Sequence, residues 1–150
     1  MSLLERLEED LKKALKESDK LKLSVLRMAK SAIKYQQIDK GRPLTDEEVV
    51  SVLSTMAKQR RESIDSFSKG GRTELAEQEK QELSILQSYM PKQLSNEEVD
   101  NIIRQAISES GSKNEADMGK VMKILMPRVK GVADGKWVNN RVKELLQSIN

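Results

Sequence analysis

Three segments of the chain open on one pattern, a Ser or Thr followed three residues later by Glu: Ser2 with Glu5, Thr45 with Glu48 and Ser95 with Glu98. In such a capping box the hydroxyl and the carboxylate reciprocally satisfy backbone N–H groups, so each pair marks a helix start. Apolar residues follow each box at helical spacing. Leu4, Leu7, Leu11, Ala14 and Leu15 follow the first. Val49, Val52, Leu53, Met56, Ile64 and Phe67 follow the second, and Val99, Ile102, Ile103, Ala106 and Ile107 the third. Ser18-Asp19 opens a further helix to about Ile38, with a broad apolar arc of Leu21, Val25, Leu26, Met28, Ala29, Ala32, Ile33 and Tyr35. So wide an arc predicts a central helix that packs on more than one neighbour. Gly70-Gly71 closes the helix that follows Thr45, and another begins near Thr73 with Leu75, Leu83, Leu86 and Met90 as its stripe.

No alternating or long β-branched run interrupts these stripes, and aromatic residues make up only 3% of the chain. The expectation is an all-α protein with thin aliphatic cores. Pro91 cannot continue a helix and biases Met90 away from helical geometry. The predicted organisation is an N-terminal helical domain of about four helices over residues 1–92 and a C-terminal three-helix tail domain over 93–150.

Polar residues inside a stripe demand partners. Arg60 interrupts the stripe of the third helix, and Glu79 and Glu82 that of the fourth. An antiparallel hairpin about Gly70-Gly71 would set residue 60 opposite residue 82. The expectation is a structural Arg60–Glu82 ion pair with Glu79 as the alternative partner; the other reading is Arg60 reaching to solvent at a core edge.

The last third has a distinct character. Met118, Val121, Met122, Leu125 and Val129 form one helical stripe, and Val138, Val142, Leu145 and Ile149 another. Arg128, Lys130 and Gly131 break the pattern between them, and Asp134 is placed to cap the second helix. Lys113 to Arg141 carries seven Lys and Arg against three acids, a net +4 within a chain of net +3. A local positive field on a nearly neutral body suits a confined contact with an anion such as RNA. The candidate RNA-binding residues are Lys120, Lys123, Arg128, Lys130, Gly131, Lys136 and Arg141. Arg27, Lys30 and Lys34 form a narrow basic stripe that is either a solvated face or a second RNA contact. Trp137 is either a base-stacking platform or an aromatic capping the tail core.

Several chemistries are excluded or unsupported. The chain has no Cys and no His, which removes thiolate nucleophiles, imidazole bases, disulfides and zinc sites of the Cys/His kind. Gly119-Lys120 lacks the flanking residues and preceding strand of a phosphate-binding loop. Gly70-Gly71-Arg72-Thr73 is read as helix punctuation rather than an anion site. No catalytic residue, metal or cofactor is expected. No apolar run approaches the roughly 18 to 20 residues of a membrane span, and Met1-Ser2-Leu3-Leu4-Glu5 lacks a signal-peptide pattern. The expectation is a cytoplasmic monomer with no membrane contact.

Gly119, Val121, Met122, Lys130, Gly131, Ala133, Asp134, Gly135, Val138 and Asn139 match a motif of the C-terminal tail of the B subunit of the glutamyl-tRNA(Gln)/aspartyl-tRNA(Asn) amidotransferase. The whole chain resembles the stand-alone YqeY-like family, with Val132 where that family usually carries Lys or Arg. The resemblance implies a non-catalytic tRNA-binding accessory protein, tRNA being held weakly and salt-sensitively. An alternative is a protein-interaction adaptor for the amidotransferase or an aminoacyl-tRNA synthetase. Carbon–nitrogen ligase activity with glutamine as amido-N-donor is implied by the resemblance alone.

Overall fold

The computed structural model describes residues 1–149. Among them the chain forms seven α-helices and no strand: α1 Leu3–Lys16, α2 Lys20–Lys40, α3 Asp46–Lys69, α4 Thr73–Gln87, α5 Asn96–Ser110, α6 Met118–Val129 and α7 Gly135–Gln147. A single 3-10 turn, Glu115–Asp117, precedes α6. The chain divides into two compact units, Met1–Pro91 and Lys92–Asn150.

Capping chemistry decides where these helices begin. Complete capping boxes form at Ser2 with Glu5 and at Thr45 with Glu48. At Ser95 the hydroxyl accepts from the Glu98 N–H and itself donates to Glu98 Oε1, so that carboxylate engages the hydroxyl of the cap. Glu48 is also gripped by Arg42 at 2.8 and 3.0 Å. The Arg42 and Lys40 side chains and the Thr45 N–H together hold the Glu48 carboxyl far below the usual carboxylate range. Gly41 and Gly111, both in the left-handed region, end α2 and α5.

The first unit packs α2 against α1, α3 and α4. Its core is Leu7, Val25, Leu26, Ala29, Ile33, Val49, Leu53, Met56, Leu86 and Tyr89. Four apolar residues of its predicted stripes are exposed. Leu15 is 55% exposed, Met28 47%, Tyr35 71% and Leu75 40%. The arc of α2 is therefore narrower than its composition indicates, because its neighbours cover only the Val25–Ile33 side. Tyr89 takes the buried place at the end of α4, while Met90 is half-buried. Its hydroxyl donates to Asp10 at 2.6 Å and Arg6 lies over its ring at 4.7 Å. Burial, then Asp10, drives its phenol pKa upward. Arg6 also donates to the Ser88 carbonyl, so α1 is tied to the end of α4 by three polar contacts around one ring.

The α3–α4 hairpin carries the charged residues of the stripe. Arg60 Nε lies 3.4 Å from an oxygen of Glu79 and 3.4 Å from an oxygen of Glu82. Neither approach meets hydrogen-bond geometry at Nε, so the attraction is purely Coulombic. Arg60 Nη2 also reaches Met28 Sδ at 3.6 Å. Two carboxylates share one guanidinium at low exposure. Burial first, then the Glu79 charge, pushes the Glu82 carboxyl upward.

The second unit is built on Val99, Ile103, Ala106, Val121, Leu125, Val129, Val138, Val142, Leu145 and Leu146. Leu146 joins this core, whereas Ile149, which helical spacing adds to the stripe, follows the end of α7 and is 45% exposed. Pro127 lies within the last turn of α6 without ending it. It is exposed, so water can take the carbonyl that its missing N–H leaves open.

Two consequences are measurable. Replacing Arg60 by Met leaves two carboxylates in the hairpin seam without a counter-charge and should cost about 3 kcal/mol in denaturant unfolding. Glu82→Gln should raise the melting temperature at neutral pH. A carboxyl whose folded pKa is raised stabilises most below its unfolded pKa and loses that contribution as pH rises through the folded value. The gain from Glu82→Gln should accordingly shrink on acidification into the ordinary glutamate range.

Candidate nucleic-acid interface

The α6–α7 connection is shaped by one glycine. Gly131 has φ +80° and is buried. Its carbonyl accepts from the Gln93 side chain at 2.8 Å, and the Val132 carbonyl accepts from Leu94 N–H at 2.8 Å. The segment before α5 thus straps the turn in place. Gly131, a candidate for close approach to RNA, is buried with its carbonyl occupied. Asp134 caps α7 by accepting from the Lys136 N–H.

The cations of this region divide into two groups. Arg141 is committed to the fold: both its Nε and Nη2 grip the carboxylate of Asp100 on α5, the latter at 2.9 Å, and Nη1 lies 3.1 Å from Glu144. Asp100, then Glu144, raises the Arg141 pKa, and the bond from Arg141 lowers that of Asp100. Arg128 holds Glu109 at 2.6 Å. Neither arginine is the free cation that the sequence pattern implied, since each carries its own counter-ion. Lys120 keeps a loose, largely solvated pair with Asp117 at 3.7 Å. Lys123, Lys130 and Lys136 are exposed and form no ion pair among the described residues. The cationic corner reduces to Lys120, Lys123, Lys130 and Lys136, on α6, the turn and the first residues of α7.

Asp117 also accepts from the Lys113 N–H, and that bond, ahead of Lys120, lowers its pKa. Glu115 joins the turn before α6 to α7 through Gln147 at 3.0 Å and Lys143 at 3.5 Å. No sequence signal marks the Asp100–Arg141 clasp, whose partners are 41 residues apart. Trp137 is half-buried and packs on the edge of the tail core. In the first unit, Lys30 lies 3.8 Å from Glu8, whereas Arg27 and Lys34 are exposed without an ion pair among the described residues.

No group of three or more His, Cys, Asp or Glu able to hold a metal occurs among the described residues, and no helix there is long and apolar enough to cross a membrane. The hydroxyls of Ser2, Thr45 and Ser95 cap helices. These features define an all-helical protein whose tail presents a lysine-bearing corner. The chain belongs to the Yqey-like protein family, which it matches over residues 4–146.

Among curated proteins the chain is 39% identical over 88 residues to "Altered inheritance of mitochondria protein 41, mitochondrial" of Eremothecium gossypii, covering 58% of this chain and 48% of that protein. The protein of the same name from Pyrenophora tritici-repentis is 28% identical over 96% of this chain and 81% of its own length. That from Candida glabrata is 30% identical over 82% of this chain and 68% of its own length. The chain spans about half the length of the first of these relatives. Their names correct the expectation of a cytoplasmic protein, since all three are named as mitochondrial. The physical reason is plain: a cysteine-free chain is indifferent to redox and carries no record of compartment.

Gly131→Ala should destabilise the second unit by about 1 to 2 kcal/mol, the cost of a left-handed backbone for a residue with a Cβ. Thermal unfolding followed by circular dichroism measures it.

Proposed function

We propose that this protein is a non-catalytic tRNA-binding accessory protein whose tail contacts the RNA backbone through Lys120, Lys123, Lys130 and Lys136. The observation that supports this reading is the separation of the cations. The arginines of the tail are spent on Glu109, Asp100 and Glu144, while three exposed lysines carry no counter-ion among the described residues. A lysine ammonium on a flexible stem neutralises a phosphate without demanding a base-specific geometry. The contact is then weak, electrostatic and indifferent to sequence. Val132, half-buried and held by Leu94, contributes no charge at the turn. Arg27 and Lys34 form a second cationic strip available to the same ligand.

Carbon–nitrogen ligase activity with glutamine as nitrogen donor finds no support in the side chains. The chain has neither Cys nor His to activate a nucleophile. An adaptor role, binding an amidotransferase or an aminoacyl-tRNA synthetase, is favoured by one observation: Met28, Tyr35 and Ile38 are exposed along a single side of α2.

Filter binding to tRNA across a salt series tests the RNA contact. Reversing Lys120, Lys123 and Lys130 to Glu should weaken binding strongly at low salt and lower the slope of log affinity against log salt by about two to three, one phosphate for each lysine. Circular dichroism should be unchanged. Arg141→Gln should lower thermal stability and leave the slope as it was. Affinity for tRNA no greater than for a neutral competitor at low salt would refute the proposal. Normal RNA binding together with loss of a captured synthetase or amidotransferase on Tyr35→Glu would favour the adaptor.

A further inference from the structure

The face between α5 and α7 holds an open groove of about 560 Å³, within the size range of ligand sites. Trp137 borders it, together with Glu97 and the carboxamides of Asn96, Asn101 and Asn140. The Asp100–Arg141–Glu144 clasp completes the lining. Nothing in the RNA contact proposed above uses this groove, and its charge opposes such use. The lining carries three carboxylates against one guanidinium, with Arg104 3.6 Å from Asp100 outside it, a net −1 in a tail that overall carries more Lys and Arg than acid. A phosphate backbone is repelled there.

The groove offers two further things. The first is an excess of acceptors. The side chains of Asn96, Glu97, Asn101 and Asn140 make no hydrogen bond or ion pair among the described residues, so one carboxylate and three carboxamide oxygens stand ready. Arg141 makes no bond to them; Asp100 and Glu144 engage its Nε, Nη1 and Nη2. The second is an aromatic surface. Trp137 rests on the tail core and also borders the groove.

Negative charge, several acceptors and an indole are together the requirements of a guanidinium, which is planar, has five N–H donors and stacks on aromatic rings. An ammonium is compact and more strongly hydrated, and stacks less well. A nucleobase would use the indole and the carboxamides but gain nothing from the negative field. We propose that this groove docks an arginine side chain presented by a partner protein, with Trp137 as the platform and Glu97 as the principal counter-charge. The site is independent of the RNA contact and stands or falls apart from it.

Trp137 is the sole tryptophan of the chain, so its emission reports directly on the groove. The probe is tri-arginine, titrated into the full-length protein at low salt, with tri-lysine and guanosine monophosphate as comparators. A saturable change in emission is expected with tri-arginine, weaker binding with tri-lysine and none with the nucleotide. Glu97→Gln should weaken tri-arginine binding at least about fivefold through loss of a charge-assisted bond. Asn140→Ala should act in the same direction. Both positions are exposed, and circular dichroism should confirm that both variants remain helical.

The proposal is overturned if tri-arginine produces no saturable change at millimolar concentration. It is also overturned if Glu97→Gln binds as well as the parent, or if tri-lysine binds equally, which would mean diffuse attraction to acid. Tighter binding of the nucleotide would make the groove a base site instead. An emission change on raising the protein concentration alone, with dimers in sedimentation, would place the arginine on a second copy and exclude a separate partner.

Discussion

Aliphatic burial along helical stripes is the constraint on which everything else in this chain depends. Each unit closes around about ten buried side chains, and Tyr89 is the only aromatic among them. Leu, Ile and Val stripes have no directional bonds to fix register, so polar contacts at the rims do that work. Tyr89 with Asp10 and Arg6 fixes α1 against the end of α4. Asp100 with Arg141 fixes α5 against α7. Gln93 and Leu94 fix the turn after α6. Such contacts are specific because each leaves a desolvated polar group unpaired if the helices slip.

The same economy explains how charge is distributed. A charged residue near a thin core edge finds a counter-charge or destabilises the fold. Arg60, Arg128 and Arg141 all lie at such edges, and all three are paired. Arginine suits these places because its fork reaches two acceptors at once. The lysines on the outward faces of α6 and the following turn meet no such demand and remain free for a ligand. The proposed RNA contact thus draws on residues that the fold does not need. The second unit then has two faces of opposite sign, a lysine corner and the Trp137 groove, suited to ligands of opposite charge.

Much of this was legible along the chain. The capping residues at Ser2, Thr45 and Ser95 gave helix starts, because capping is a contact between residues three apart. Helical periodicity gave the cores at Leu26, Leu53, Val121 and Val142. Local spacing failed where burial depended on a neighbour's reach. Met28 and Tyr35 belong to the apolar arc of α2 by angle, yet both stay exposed, Met28 meeting the tip of Arg60. Ile149 continues the stripe of α7 by spacing, yet the helix ends at Gln147 and leaves it exposed, while Leu146 joins the core. For the candidate interface, the sequence supplied the concentration of cations but not their availability. Nothing near Arg141 in the chain marks Asp100 as its partner, and nothing at Gly131 shows that its carbonyl is taken by Gln93.

The sequence by itself determined that this chain is helical, where its capped helices start, that its chemistry lacks thiol and imidazole, and that it carries the Yqey-like pattern. Those properties are set by contacts within a few residues or by residue identity alone. Only the tertiary structure decided which cations are neutralised, which apolar residues are covered, and that Trp137 shares a groove with Glu97 and three carboxamides. Those outcomes depend on side chains brought together from distant parts of the chain, and helix packing, not local spacing, sets those distances.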